Sequence, residues 1–241
     1  MEVAQPSRRL EPDQLWSLVD RHHNAFIAER LSGPRILDLG CGYGTLVEFL
    51  SRQGRQVVGI DLDAESLAVA RHRYPDREFV EGDFVGRYDE QSFDHVVMRD
   101  AWHHLYEESE NPAGLLEEVA RLLAPGGSLV IFDPNLNWIL RTGRKLIGHR
   151  DAECSLEDAE RFLADHGFRV VGRNFYELFA LAVSGGYVGP RLAPPWPLLN
   201  RLLAWLNDRL SRGLDGTPLA PVLLWRYCLV ALPGGPSRVS N

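Results

Sequence analysis

The sequence predicts one α/β domain built on a largely parallel sheet with crossover helices. Two observations carry this. Apolar runs of strand length, at residues 35–39, 56–60, 78–80, 95–98 and 128–132, alternate with stretches of helical period. The intervening stretches also carry helix start and stop residues. A chain of 241 residues is long enough for one such domain with an elaboration.

Each element has its own signal. Residues 13–31 place Leu15, Leu18, Val19, Phe26 and Ile27 at helical spacing, a cap ahead of the first strand. The first strand runs into a glycine turn and a helix at 46–50. Asp63 starts the next helix, which stops near Tyr74-Pro75. Asn111 is placed to N-cap a helix with Pro112 at its first position, and Pro125-Gly126-Gly127 ends it. Ser155 and Asp158 have capping-box spacing for a helix to His166, and 168–171 and 223–232 read as the last two strands. The expected organisation is a helical cap (1–33), a core (34–134), a C-terminal half (135–232) and a tail (233–241).

Between those last strands lies an insertion, 177–222, where a hairpin loop of ~2–5 residues would be usual. It passes Ser184-Gly185-Gly186 and a proline-rich stretch into a helix with Leu198, Leu199, Leu202, Leu203, Leu206 and Leu210 on one face. Arg201, Asn207, Asp208 and Arg212 lie opposite, and Gly213 stops it. The expectation is a lid over the acceptor side, with an apolar or lipid-linked acceptor; the alternative is that the leucine face packs on the domain or makes a dimer contact.

Composition narrows the partners. A net charge of −7 argues against a general grip on nucleic acid, so a small-molecule partner is expected. Cys41, Cys154 and Cys228 are scattered and odd in number, suggesting neither a disulfide framework nor a zinc cluster. The first residues lack a signal peptide's apolar core and no apolar run reaches membrane-span length, so a cytoplasmic protein, at most peripheral to a membrane, is expected.

Three motifs carry chemistry. The first is Asp38-Leu39-Gly40-Cys41-Gly42-Tyr43-Gly44-Thr45, a strand entering a glycine turn that lets backbone amides approach an anionic ligand group. A dinucleotide fingerprint would put its third glycine at Thr45 and leave Asp38 unexplained. The second is Asp61, ending an apolar strand where a carboxylate can take both hydroxyls of a ribose. The third is Glu81-Gly82-Asp83-Phe84, where a carboxylate can accept from an adenine amino group beside an aromatic ring.

In order and spacing, these motifs resemble those of the class I S-adenosylmethionine-dependent methyltransferases over about residues 35–134. The resemblance implies a Rossmann-like seven-stranded sheet of order 3-2-1-4-5-7-6 with the seventh strand antiparallel. It implies S-adenosyl-L-methionine as cofactor, with Asp38, Gly40, Gly42 and Gly44 around the methionine moiety, Asp61 on the ribose, and Asp83 and Phe84 on the adenine. Cys41, Leu62, Gly82 and Arg99 are further implied contacts. The implied activity is methyl transfer to an O, N or C nucleophile of a small or lipid-linked metabolite. Other readings are an NAD-linked oxidoreductase, disfavoured by Thr45 and Asp83, and a non-catalytic module that binds the cofactor.

The fourth strand leads into Arg99-Asp100-Ala101-Trp102-His103-His104, which offers His103 and His104 as a base or acceptor anchor. The pair could equally cap a helix and pack on the sheet. Asp100, His103 and His104 also have the spacing to cluster around a divalent ion, a loose likeness to the metal segment of ubiquinone-biosynthetic O-methyltransferases, although no metal is expected. The family's Asn-Pro-Pro-Tyr signature is absent after that strand, which speaks against nucleobase and glutamine acceptors. The basic residues Arg141, Arg144, Lys145 and Arg150 suggest an anionic head group or lipid surface.

Overall fold

A computed structural model describes residues 11, 13–137, 155–185 and 192–234. Arg141–Arg150 of the basic stretch, Cys154, Gly186, Pro190 and most of both tails fall outside them.

The elements in chain order are α1 (Leu15–Ala28), β1 (Arg35–Leu39), α2 (Thr45–Ser51), β2 (Gln56–Asp61), α3 (Ala64–Arg73), β3 (Glu78–Glu81) and β4 (Phe93–Arg99). They continue with α4 (Trp102–Glu108), α5 (Pro112–Leu122), β5 (Leu123–Pro134), α6 (Leu156–Asp165) and β6 (Phe168–Tyr176). The short α7 (Ala180–Val183), α8 (Pro197–Leu214), the short α9 (Ala220–Leu223) and β7 (Arg226–Pro233) complete the described chain. The sheet order is β3-β2-β1-β4-β5-β7-β6. Strands β1 to β5 pair in parallel, and β7 runs antiparallel between β5 and β6.

Period-2 alternation distributes the sheet's side chains to two cores. Leu37, Val96, Met98, Leu129 and Ile131 pack on one face with α4, α5 and α6. Ile36, Val97, Val130 and Phe132 pack on the other with α1, α2 and α3. Because helices cover both faces, the central strands read as nearly unbroken apolar runs. The predicted caps form: Asp63, Asn111 and Ser155 each accept a backbone N–H at a helix start, and Ser155 and Asp158 make the reciprocal capping box.

The larger differences from the expected boundaries lie in β5, β6 and β7, and α8 runs past Gly213 to Leu214. Strand β5 begins at Leu123 because the chain bulges through Pro125-Gly126-Gly127 while still pairing with β4. Strand β6 runs on to Tyr176, and β7 starts only at Arg226 because Ala220–Leu223 forms a helical turn.

The largest correction concerns α8. Its buried residues are Asn200, Ala204, Asn207 and Ser211, whereas Leu198 is 80% exposed, Leu202 54% and Leu210 42%. The polar side faces the protein because it has unsatisfied backbone to serve. Asn207 Oδ1 accepts from the N–H groups of Leu178, Phe179 and Ala180 at 3.1, 2.9 and 3.1 Å, and its Nδ2 donates to Glu177. Asn200 donates to the Asp13 carbonyl, and Asp208 accepts from Tyr176 and Arg212.

Candidate functional site

A cavity of 720 Å³ opens at the carboxyl ends of β1, β2, β3 and β4. This is the switch point between β1 and β4, where the chain reverses its winding direction and adjacent crossovers splay apart. The volume lies within the usual range for a small-molecule site.

The glycine turn forms one wall. Gly40 and Cys41 donate to the Ile60 carbonyl at 2.9 and 3.1 Å, which folds the turn over β2. Asp61 then binds it from the side, Oδ2 accepting from Gly42 N at 2.7 Å and Oδ1 from Asp63 N at 2.9 Å. Gly40, Gly42 and Gly44 all have positive φ. They differ in surroundings. A Cβ on Gly44 would meet the Phe79 ring at 2.5 Å, whereas one on Gly42 would meet no protein atom within 4 Å. Gly44 is therefore constrained by packing, and Gly42 by its backbone conformation and by whatever enters the cavity.

Gly40, Cys41, Gly42, Asp61 and Leu62 line the cavity, as do Gly82, Asp83, Phe84 and Arg99. Phe84 is buried and Leu62 is 78% exposed at the rim. Asp38 and Gly44 stand behind the wall. Asp38 is 1% exposed, and its Oδ1 has no hydrogen-bond partner. Burial pushes its carboxyl up to about 7, with Arg99 opposing the shift and Asp61 and Asp20 adding to it.

Arg99 joins three elements. It donates to Asp20 at 2.8 Å and to Asn24, both on α1, and to Thr45 Oγ1 at 3.0 Å at the start of α2. This holds α1 over the cavity, where Trp16 contributes to the wall. Asp100 follows with φ +57, a strained conformation for a residue other than glycine, and its carboxylate pairs with buried Arg226. Burial would raise the Asp100 pKa, but Arg226 and Arg99 outweigh it and hold it below the usual range.

The histidines separate in role. His103 Nδ1 lies 2.9 Å from Asp133 Oδ2, and its backbone N–H donates to the same oxygen. Burial favours the neutral ring, yet the Asp133 bond and the nearby carboxylates raise its pKa. His104 is exposed and lines the cavity, its ring tilted 37° to that of His103 with the centroids 4.2 Å apart. Asp100, His103 and His104 do not converge as an ion site. Asp100 turns to Arg226 and His103 to Asp133, and among the described residues no group of three or more His, Cys, Asp or Glu is disposed to hold a metal.

Sequence reasoning did not anticipate Trp16, Tyr43, Ala101, Leu105, Ser109 and Leu115 in the wall. Only Thr45, displaced from a glycine fingerprint, gave a signal. Among the described residues none from 177–222 lines the cavity, and the insertion meets this region through α1, on which α7 and α8 pack.

Comparison with known proteins is consistent with this geometry. Residues 37–131 match the family model described as a methyltransferase domain. Similar curated proteins include the ubiquinone biosynthesis O-methyltransferase of Alkalilimnicola ehrlichii, 34% identical over 113 residues, 44% of each chain. Another is the cypemycin N-terminal methyltransferase of a Streptomyces species, 39% identical over 100 residues, 41% of each chain. The match thus spans less than half the length of these relatives. Among solved structures, the [4+2]-cyclase SpnF superposes with a TM-score of 0.62 at 20% identity, covering 91% of this chain and 84% of that one, a likeness of fold. Over residues 37–131 the chain is thus similar to a methyltransferase domain, and its sheet has the order expected of that Rossmann-like fold.

Proposed function

We propose that this chain binds S-adenosyl-L-methionine and transfers its methyl group to an O, N or C nucleophile of a small or lipid-linked metabolite. The observation that carries the reading is the placement of three carboxylates around one cavity: Asp38 buried behind the glycine turn, Asp61 at its side and Asp83 at the far end. A nucleoside joined to a zwitterionic amino acid suits this arrangement. Asp61 is placed for the ribose hydroxyls and Asp83 with Phe84 for the adenine. The unpartnered Asp38 oxygen and open space at Gly42 suit the charged end of the methionine moiety. When bound, the cofactor supplies an activated methyl group on a sulfonium centre.

The protein's part is then positioning and exclusion of water, which suffices for a good nucleophile. Ala101, Leu105, Ser109 and Leu115 form a largely apolar acceptor side, into which His104 can reach as base or anchor. His103, held by Asp133, packs against the His104 ring and is a positioning residue. Relatives named for ubiquinone biosynthesis O-methyl transfer and for cypemycin N-terminal methyl transfer leave the acceptor class broad. Calorimetry with S-adenosylmethionine, followed by transfer of labelled methyl into fractionated metabolite and lipid extracts, tests the reading. Absence of binding removes it, and binding without transfer to any fraction favours the non-catalytic module.

A further inference from the structure

Asp100, Ala101, His104 and Leu105 all line the cavity, and the stretch that carries them is held from outside. Asp100 sits at φ +57. Helix α4, which follows, has seven residues, too few to be stable alone, and its N-cap, Ala101, brings no side-chain acceptor. Two buried charges from neighbouring strands supply the hold. Arg226 of β7 binds the Asp100 carboxylate. Asp133, 2% exposed at the end of β5, turns Oδ2 to His103, accepting its backbone N–H at 3.1 Å and lying 2.9 Å from its ring Nδ1. Pro134, the next residue, is in register with Arg226, so both holds come from one corner of the sheet.

The Oδ1 atom of Asp133 is buried without a hydrogen-bond partner, so among the described residues this side chain bonds to His103 alone. A buried carboxylate with one oxygen unserved is costly, and a neutral side chain would cap a helix at lower cost. The ring bond is what the charge adds. A carboxylate only accepts, so it holds the His103 proton on Nδ1 and fixes the plane of a ring whose centroid lies 4.2 Å from that of His104. We propose that Asp133 is a positioning residue for methyl transfer, fixing the start of α4 and, through the His103 ring, the placement of His104 at the acceptor side of the cavity. The inference rests on the methyl-transfer reading. Asp133 does not line the cavity and acts through His103.

Asp133→Asn separates positioning from capping, because the amide keeps an oxygen for the His103 N–H and loses the charge that holds the ring. The thermal melt and the calorimetric affinity for S-adenosylhomocysteine should match wild type, while the rate of labelled methyl transfer into the extract fractions falls roughly tenfold. Combined with His103→Ala, the substitution should add no further loss. Ring nitrogen shifts measured by NMR should show His103 protonated at Nδ1 in wild type and a mixture of tautomers in Asp133→Asn, a readout that needs no acceptor. Should Asp133→Asn not fold, His103→Asn, which keeps an N–H for Asp133 and removes the ring, takes its place with the same expected loss of rate. A wild-type rate in the folded variant overturns the proposal, as does a loss that adds to that of His103→Ala or a His103 tautomer indifferent to Asp133→Asn. If wild type binds the cofactor and transfers methyl to no fraction, the methyl-transfer reading falls and the positioning role falls with it.

Discussion

Replacing Asn207 by leucine separates two descriptions of α8. By pattern alone the substitution adds a leucine to an amphipathic helix and should be harmless. In the folded chain Asn207 is 1% exposed, and its carbonyl oxygen serves three consecutive N–H groups where the chain leaves β6 and enters α7. Leucine leaves those donors without that acceptor and removes the 3.3 Å bond to Glu177. A buried donor left unsatisfied costs ~1–3 kcal/mol. With three affected, and part of the loss offset by apolar burial and local shifts, about 3–5 kcal/mol of destabilisation is expected. At ~2–4 °C per kcal/mol for a chain of this size, the melting temperature should fall by roughly 6–20 °C. Urea midpoints provide a second measure. The control is Leu206→Gln on the outward side, expected within about 0.5 kcal/mol of wild type. If Asn207→Leu is neutral while Leu206→Gln unfolds the protein, the orientation of α8 is wrong.

Further outcomes follow from the cavity. Asp61→Ala should weaken both S-adenosylmethionine and S-adenosylhomocysteine by about 1.5–3 kcal/mol for each ribose bond lost, and unchanged calorimetric affinity in the folded variant removes that assignment. His104→Ala should lower kcat more than cofactor affinity, while His103→Ala, which frees the neighbouring ring, should do so to a smaller degree; equal kcat in both returns the pair to a packing role. Burial lifts the Asp38 carboxyl from an ordinary 3.8 to about 7 in the folded chain, so the folded state holds the extra proton between those values. Its contribution to stability is present below about pH 4 and is lost as pH rises towards and through 7. Asp38→Asn should therefore gain stability relative to wild type at pH 8 compared with pH 4, and parallel melting curves for the two proteins across that range would contradict the buried, unpartnered carboxylate.

The sheet and the side of the cavity formed by the ends of β1, β2 and β3 were legible in sequence because both depend on local constraints. Nearly unbroken apolar runs in β1, β4 and β5 mark two covered faces, and a carboxylate ending β2 or following β3 lies at the sheet edge where the cavity opens. The turn needs positive φ at Gly40, Gly42 and Gly44, and the chain shows three glycines. The rest of the cavity wall was less legible. Trp16 reaches it from a helix far away in sequence, and Asp100 is tied to an arginine from the last strand. Nothing local marks Arg226 as 2% exposed, since charged residues are rarely buried unless paired and its partner is 126 positions away. For α8, periodicity gave two faces and the usual assumption chose the apolar one as inside. The contrary signal was the stripe Asn200, Ala204, Asn207, Ser211, small or amide side chains spaced for close packing and backbone capping.

These features are connected, because α1 is clamped by polar bonds on both of its sides. Towards the cavity, Asp20 and Asn24 hold Arg99, which holds Thr45. Towards the insertion, His23 meets Glu177 at 2.8 Å, and Glu177 has φ +73 and binds Leu181 N and Asn207 Nδ2. Burial keeps His23 towards its neutral form, although Glu177 pulls the other way. Hydrogen bonds of this kind have narrow angular tolerance, unlike an apolar seam that can slide. A displacement of α8 therefore reaches Glu177 through Asn207, His23 through Glu177, and then the helix that carries Trp16 and the Arg99 partners. The apolar side of α8 could face outward without loosening the cavity because its polar side makes this connection. Contacts made on the outside of α8 and the geometry of the cavity wall thus share one set of side chains, although no described residue of the insertion enters the cavity.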